Sequence, residues 1–189
     1  MRLFVSIDLP DDLAEAISTV QEELDSAAGL RMTDPSQAHV TLKFLGETDR
    51  SRVDEITDAL ATAVEQAGIS PFEATIEGLG VFPELSYIRV VWVGVDEGGP
   101  EMTELHDAVE TQLVDRGFDP ADHTFTPHVT IARMDHAGGK EHVQQVVTER
   151  DPHIGRMEVD SISLTKSTLT AEKPIYETVA TIPLSEDGA

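Results

Sequence analysis

The chain has no cysteine in its 189 residues. Disulfides, thiolate metal sites and cysteine nucleophiles are therefore excluded, and the redox compartment stays open. Positive charge is scarce: 13 Lys+Arg stand against 36 Asp+Glu, a formal net charge of −23. A protein that grips nucleic acid by neutralising phosphates is basic, so binding to duplex DNA is disfavoured. No stretch approaches the roughly 18 consecutive apolar residues of a membrane span. The start, Met1-Arg2-Leu3-Phe4-Val5-Ser6-Ile7-Asp8, turns acidic too early for a signal peptide. A soluble cytoplasmic protein with no membrane partner is expected. Low-complexity segments and flexible linkers are absent too. No ligand-spaced cluster such as H-E-x-x-H occurs, so neither a metal nor a cofactor is expected.

The acidic residues are spread over the helical stretches rather than gathered in a tail, as in Asp11-Asp12, Glu22-Glu23 and Asp54-Glu55. Self-repulsion of this size destabilises a compact state unless salt screens it, and the screening length shrinks to about 3 Å at 1 M. The composition points to adaptation to high cytosolic salt, of a haloarchaeal type.

Hydrophobic periodicity outlines the elements. A first strand spans residues 2–9, with Leu3, Val5, Ile7 and Leu9 on one face. A helix follows with Leu13, Ala16, Ile17, Val20 and Leu24 at helical spacing, closed by Gly29. A second helix, capped by Ser51, carries Val53, Ile56, Leu60 and Val64 and stops at Gly68. Strands are expected over 72–81 and 87–95, and a third helix carries Met102, Leu105, Val109 and Leu113. A fourth helix over 140–150 and strands over 157–169 and 175–184 complete the chain. The expected architecture is α+β: two pseudo-symmetric lobes, each an antiparallel sheet with helices on its outer face, around a central cleft. Residues 1–189 form a single bilobal domain in this reading. The pseudo-repeat boundary lies near 96–100, where Gly98-Gly99-Pro100 punctuates the chain.

Two strings stand out against this background: His39-Val40-Thr41-Leu42 and His128-Val129-Thr130-Ile131. Random placement predicts roughly one His-x-Thr in such a chain, so one copy alone says little. Both copies, however, are His-Val-Thr-aliphatic in strand-like stretches, and no other histidine has threonine two residues on. Alternate residues of a strand share a face. His39 and Thr41 thus oppose Val40, Leu42 and Phe44, and His128 and Thr130 oppose Val129 and Ile131. Imidazole titrates near 6.5, so one histidine can accept a proton while the other donates one. Threonine hydroxyls can hold phosphate oxygens. Two of each suit in-line attack on a phosphodiester, with protonation of the leaving oxygen on the far side. The other histidines (His106, His123, His136, His142 and His153) read as surface or helix-end residues, with His106 structural.

With its flanking segments, Arg2-Leu3-Phe4-Val5-Ser6-Ile7-Asp8-Leu9-Pro10, His39 to Gly46, Gly80-Val81-Phe82-Pro83, Arg89 to Gly94 and Phe125 to Arg133, the chain resembles the 2H phosphoesterase superfamily. Within it, the chain is similar to the RNA 2′,3′-cyclic phosphodiesterases, also called 2′-5′ RNA ligases. The resemblance implies metal-independent opening of an RNA 2′,3′-cyclic phosphate end, or of a cyclic nucleotide, to a 2′-phosphate. His39 and His128 would be the acid–base pair, with His128 activating water and His39 protonating the 3′ oxygen. Sequence alone leaves the reverse assignment open. Thr41 and Thr130 would hold phosphate oxygens. Arg133 matches the family's phosphate-binding arginine, although strict alternation turns it to the apolar side unless the strand ends or twists. Phe125 matches a base-stacking position, with a core residue as its other reading. Lys43, on the face of His39 in this reading, would add positive charge, or be a solvated strand-end lysine. The chain is expected to act as a monomer. Two rival functions remain: 2′-5′ ligation of RNA ends, and a non-catalytic module that binds nucleotides or RNA ends. A matched acid and base argues against the second, which needs neither.

Overall fold

The computed structural model describes residues 1–186. In chain order the elements are β1 (Arg2–Asp8), α1 (Ala14–Leu24), β2 (Leu30–Met32), β3 (His39–Glu47), α2 (Val53–Ala67) and β4 (Phe72–Glu84). They continue as β5 (Tyr87–Val95), α3 (Gly99–Val114), β6 (His128–Met134), α4 (Lys140–Glu149), β7 (His153–Val159), β8 (Ser161–Leu169) and β9 (Pro174–Pro183). All pairings are antiparallel, in one curled sheet of order β7-β4-β5-β6-β3-β1-β8-β9, with β2 added to β6.

Local chemistry accounts for the helices. The apolar stripe of α2 puts Ile56, Leu60 and Val64 in the core. Gly68 ends it in the left-handed region at φ 63°, where a residue without Cβ is strongly favoured. The turn leading into α2 is capped by Asp49, whose carboxylate accepts from the Ser51 N–H at 2.8 Å, so Ser51 receives the cap instead of supplying it.

The sheet divides into two four-stranded halves that interlace along the chain. One half is β3-β1-β8-β9, covered by α2 and α3; the other is β7-β4-β5-β6, covered by α1 and α4. The termini thus build one lobe and the middle of the chain the other. The expected division near 96–100 is not where the sheet divides: Gly98 and Gly99 open α3, and β4 and β5, which precede them, pair with β6 and β7, which follow. The structural repeat is β1-α1-β3 against β5-α3-β6. Within it α1 and α3 each pack on the lobe that does not hold the preceding strand. The stretch expected as one strand over 157–169 is two, because β7 pairs with β4 and β8 with β1 at opposite sides of the sheet. Asp160 is the crossover. The core lies between the sheet and the helices, and the other sheet face carries the histidines.

Candidate active site

β3 and β6 meet in the middle of the sheet through one bridge, Val40 to Val129. Both valines are fully buried beneath the helices, so His39, Thr41, His128 and Thr130 turn to the open face. Antiparallel register through that bridge sets His39 across from Thr130 and Thr41 across from His128. Beyond it the same edge of β6 is taken by β2, which pairs with Ala132, Arg133 and Met134, and the opposite edge by β5.

The two histidines are held alike. His39 Nδ1 lies 2.9 Å from the Gln37 carbonyl, and His128 Nδ1 lies 2.7 Å from the Thr126 carbonyl. A carbonyl oxygen can only accept, so Nδ1 carries a proton in each ring and Nε2 is the nitrogen left to take or give one. Aromatic rings fix both planes. His39 packs against Phe4 and Tyr176, at 5.0 and 5.1 Å between centroids; His128 meets Phe82 edge-on at 4.8 Å and Trp92 at 5.9 Å. Trp92 lies over Gly80, where a Cβ would fall 2.2 Å from the indole.

Each strand carries a bulge just past its threonine. In β1–β3 the partners run Ser6 to Thr41 and then Val5 to Lys43, leaving Leu42 extra. In β5–β6 they run Trp92 to Thr130 and then Val91 to Ala132, leaving Ile131 extra. A bulge resets the alternation of side chains. Leu42 and Lys43 are consequently both buried, as are Ile131 and Ala132, while Phe44 and Arg133 return to the open face. This explains how Arg133 shares the face of His128 despite odd spacing. Buried helix residues hold the bulge carbonyls. His106 Nδ1–H donates to Leu42 O at 2.8 Å, and Gln21 Nε2 donates to Ile131 O at 3.0 Å.

Electrostatics separates the two rings. Burial pushes His39 below the usual imidazole range; the Gln37 carbonyl and the Asp8 carboxylate pull it up, and Arg133 pushes it down. Burial likewise lowers His128. The Thr126 carbonyl opposes this, while Arg133, His39 and His123 all add to the lowering. Asp8 pairs with His39 in the sheet, whereas the residue paired with His128 is Gly94.

Two expected site residues are elsewhere. Lys43 is 6 % exposed and faces the helices. Its ammonium donates to Glu110 at 2.7 Å and to the Asp119 carbonyl at 2.8 Å. The bulge at Leu42 put it there. Phe125 stacks on His106 at 4.2 Å with the rings 6° from parallel, packed against the core, so that ring face is closed to a base. His106 is structural, as expected. Sequence reasoning missed Asp8, Phe4 and Tyr176 beside His39, Phe82 and Trp92 beside His128, and Phe44. Asp8 and Phe4 were within reach, since both alternate with the apolar face of β1; Phe44 was not, since only the bulge exposes it. Among the described residues no group of three or more His, Cys, Asp or Glu is arranged to hold a metal ion. No helix there is long and apolar enough to cross a membrane.

The chain is similar to known proteins in sequence and in fold. The model of the 2′-5′ RNA ligase superfamily matches residues 9–170. A Methanothermobacter thermautotrophicus protein named RNA 2′,3′-cyclic phosphodiesterase is 34% identical, covering 93% of this chain and 95% of its own. An Archaeoglobus fulgidus protein of the same name is 35% identical, covering 94% and 97%. Among solved structures, TT0787 of Thermus thermophilus superposes with a TM-score of 0.79 at 24% identity, over 97% of this chain and 98% of that one. E. coli LigT complexed with 3′-AMP gives 0.77 at 25% identity, again over 97% and 98%.

Proposed function

The chain belongs to the 2′-5′ RNA ligase superfamily, and on that premise we propose that it hydrolyses 2′,3′-cyclic phosphate ends of RNA to 2′-phosphomonoesters with two histidines and no metal. The observation that carries this reading is the duplicated histidine: two rings on one open face, both with Nδ1 bonded to backbone and Nε2 free. The relatives at 34% and 35% identity are named for the same reaction.

His128 Nε2 takes a proton from water as its oxygen attacks phosphorus. The P–O3′ bond breaks, His39 in its imidazolium form gives its Nε2 proton to the departing O3′, and the phosphate stays on O2′. The charges around the rings support this division. Among the described residues Asp8 is the only carboxylate acting on either histidine and favours protonated His39, whereas every charged group acting on His128 disfavours its protonation. Thr41 and Thr130 donate their hydroxyls to the non-bridging oxygens, and Arg133 offsets the charge that builds there. Proton transfer of this kind contributes about 10²–10⁴-fold for each group. The test is chelator-treated protein with a 2′,3′-cyclic-phosphate oligonucleotide, followed by identification of the hydroxyl that keeps the phosphate. A 2′-phosphate is expected; no turnover, or a strict need for added metal, would sink the reading. Incubating 2′-phosphate and 5′-hydroxyl ends under the same conditions tests the ligation direction.

The net charge of −23 further supports a cytoplasmic monomer adapted to molar salt, as in haloarchaea. Thermal unfolding followed in rising KCl should show the midpoint climbing steeply towards molar concentrations, as repulsion is screened. An unchanged midpoint would refute the adaptation.

A further inference from the structure

In a chain this acidic, a cation without a carboxylate beside it needs a reason. Arg31, Lys43, Arg52, Arg150, Arg156, Lys166 and Lys173 each lie within ion-pair distance of an aspartate or glutamate. Among the described residues six cations have no such partner: Arg2, Arg50, Arg89, Arg116, Arg133 and Lys140. Arg116 is held by the Gln112 carbonyl and side chain, each at 2.8 Å, and Arg89, Arg133 and Lys140 lie together towards one end of β5 and β6. Arg133 pairs in the sheet with Val90, the neighbour of Arg89. Arg89 and Lys140 line a cavity of about 260 Å³ between the β4–β5 turn and the start of α4, together with Tyr87, Asp135 and His136. The Asp135 carboxylate is turned to Arg31, at 3.2 Å. His136 Nδ1 accepts from the Gly138 N–H at 3.1 Å, so its Nε2–H remains to donate. Arg89 bonds only the Tyr87 hydroxyl, at 3.2 Å, and Lys140 the Ser86 carbonyl, at 3.3 Å; both keep donors to spare. Tyr87 is 55 % exposed and offers a ring face to a base.

The opposite side of the site has the reverse character. A cavity of about 220 Å³ beside His39 is lined by Asp8 and Asp11 with Phe4, Gln37 and Tyr176, and it holds no lysine or arginine. A polyanion entering the site is repelled there and drawn along β6 towards Arg133 and Arg89.

We propose that the Arg89–Lys140 cavity is a second phosphate subsite, which holds the backbone of a single RNA strand upstream of the reacting end. This rests on the reading of His39 and His128 as the site of cyclic phosphate opening. Met134, where β6 ends beside the cavity, is six residues beyond His128, roughly 20 Å along a strand. A stacked strand with about 3.4 Å per nucleotide covers that span with six nucleotides, and an extended one with fewer. The preferred substrate is then an oligonucleotide end, and a cyclic mononucleotide, which cannot reach the cavity, is the poorer one.

Oligouridylates of two, four and eight nucleotides ending in a 2′,3′-cyclic phosphate test this, with the wild type, the double variant Arg89→Glu/Lys140→Glu, and Arg50→Glu as a charge control away from the cavity. Salt is set where circular dichroism shows all three folded. The wild type should show a KM about tenfold lower for the octanucleotide than for the dinucleotide. The double variant should bring the ratio within about twofold and leave the dinucleotide's kcat/KM unchanged, and Arg50→Glu should behave as wild type. Binding of an octauridylate with a 3′-phosphate should lose about 1.4 from its salt slope in the double variant, at about 0.7 per phosphate contact on a single strand. A length effect kept by the double variant, or absent from the wild type, overturns the subsite. If the wild type opens no cyclic phosphate at all, the reading of the histidines fails by itself. The octauridylate then decides the cavity, since equal binding by wild type and double variant would refute it.

Discussion

The β3 and β6 strands are two castings of one frame with different charges set in it. Each runs histidine, buried valine, threonine, then a bulge with two buried residues, then an exposed residue five places on. Each histidine bonds the carbonyl two residues before it, and each bulge carbonyl is held by a helix side chain from the opposite repeat. The frames part at two positions. Across from the histidine stands Asp8 in one lobe and Gly94 in the other. At the exposed fifth position stand Phe44, 65 % exposed, and Arg133. Duplicated backbone gives two rings in matching tautomers; the unmatched residues make one fit to give a proton and the other to take it.

The strongest way to break this pairing is to remove either ring. His39→Ala and His128→Ala should each lower kcat for a cyclic-phosphate oligonucleotide by about 10²–10⁴-fold while the circular dichroism spectrum stays that of wild type. Full activity in either variant would refute the acid–base pair.

Arg133→Gln comes next. Losing a charge-assisted contact to phosphate should cost about ten- to a hundredfold in kcat/KM. The pH profile should move as well. Both histidines lie below the usual 6.5, so the wild-type kcat/KM optimum is expected on the acid side of that value. Arg133 contributes to both depressions. Its removal raises both pKa values and shifts the optimum upward. An optimum that stays put would separate Arg133 from the histidines.

Lys43→Ala sharpens the contrast by giving β3 the alanine that β6 has at the equivalent place, Ala132. Taking the ammonium from Glu110 should destabilise the fold by about 1–3 kcal/mol, as a buried ion pair loses one member. The kcat should be unchanged, since Lys43 faces the helices. A large fall in kcat with normal stability would return Lys43 to the cleft. Asp8→Asn should have the smallest effect, a few-fold loss of kcat. Without the carboxylate the proton on His39 is held less firmly, so the alkaline limb of the profile should move to lower pH. A shift to higher pH would reverse the roles of the two rings.

Much of the site was legible in the chain. His39, Thr41, His128 and Thr130 share the open face because alternation is local to a strand and both strings precede their bulges. Arg133 and Lys43 lie beyond the bulges, and there the period-2 rule reads every side chain on the wrong side. That error exiled Arg133 from the cleft and put Lys43 into it, though the two strands are built alike. Phe125 went astray differently: its partner, His106, comes from α3 earlier in the chain, and nothing in local spacing announces a stacked pair.

The sequence by itself determined the strands, the amphipathic helices and the two histidine faces, because each depends on the side-chain period within one segment. Tertiary structure decided the rest. The two bulges arise from register between neighbouring strands, the interlacing of the lobes from which strands pair, and the charge beside each ring from what sits opposite in the sheet. Those are contacts between residues far apart along the chain, and they exist only once the sheet has closed.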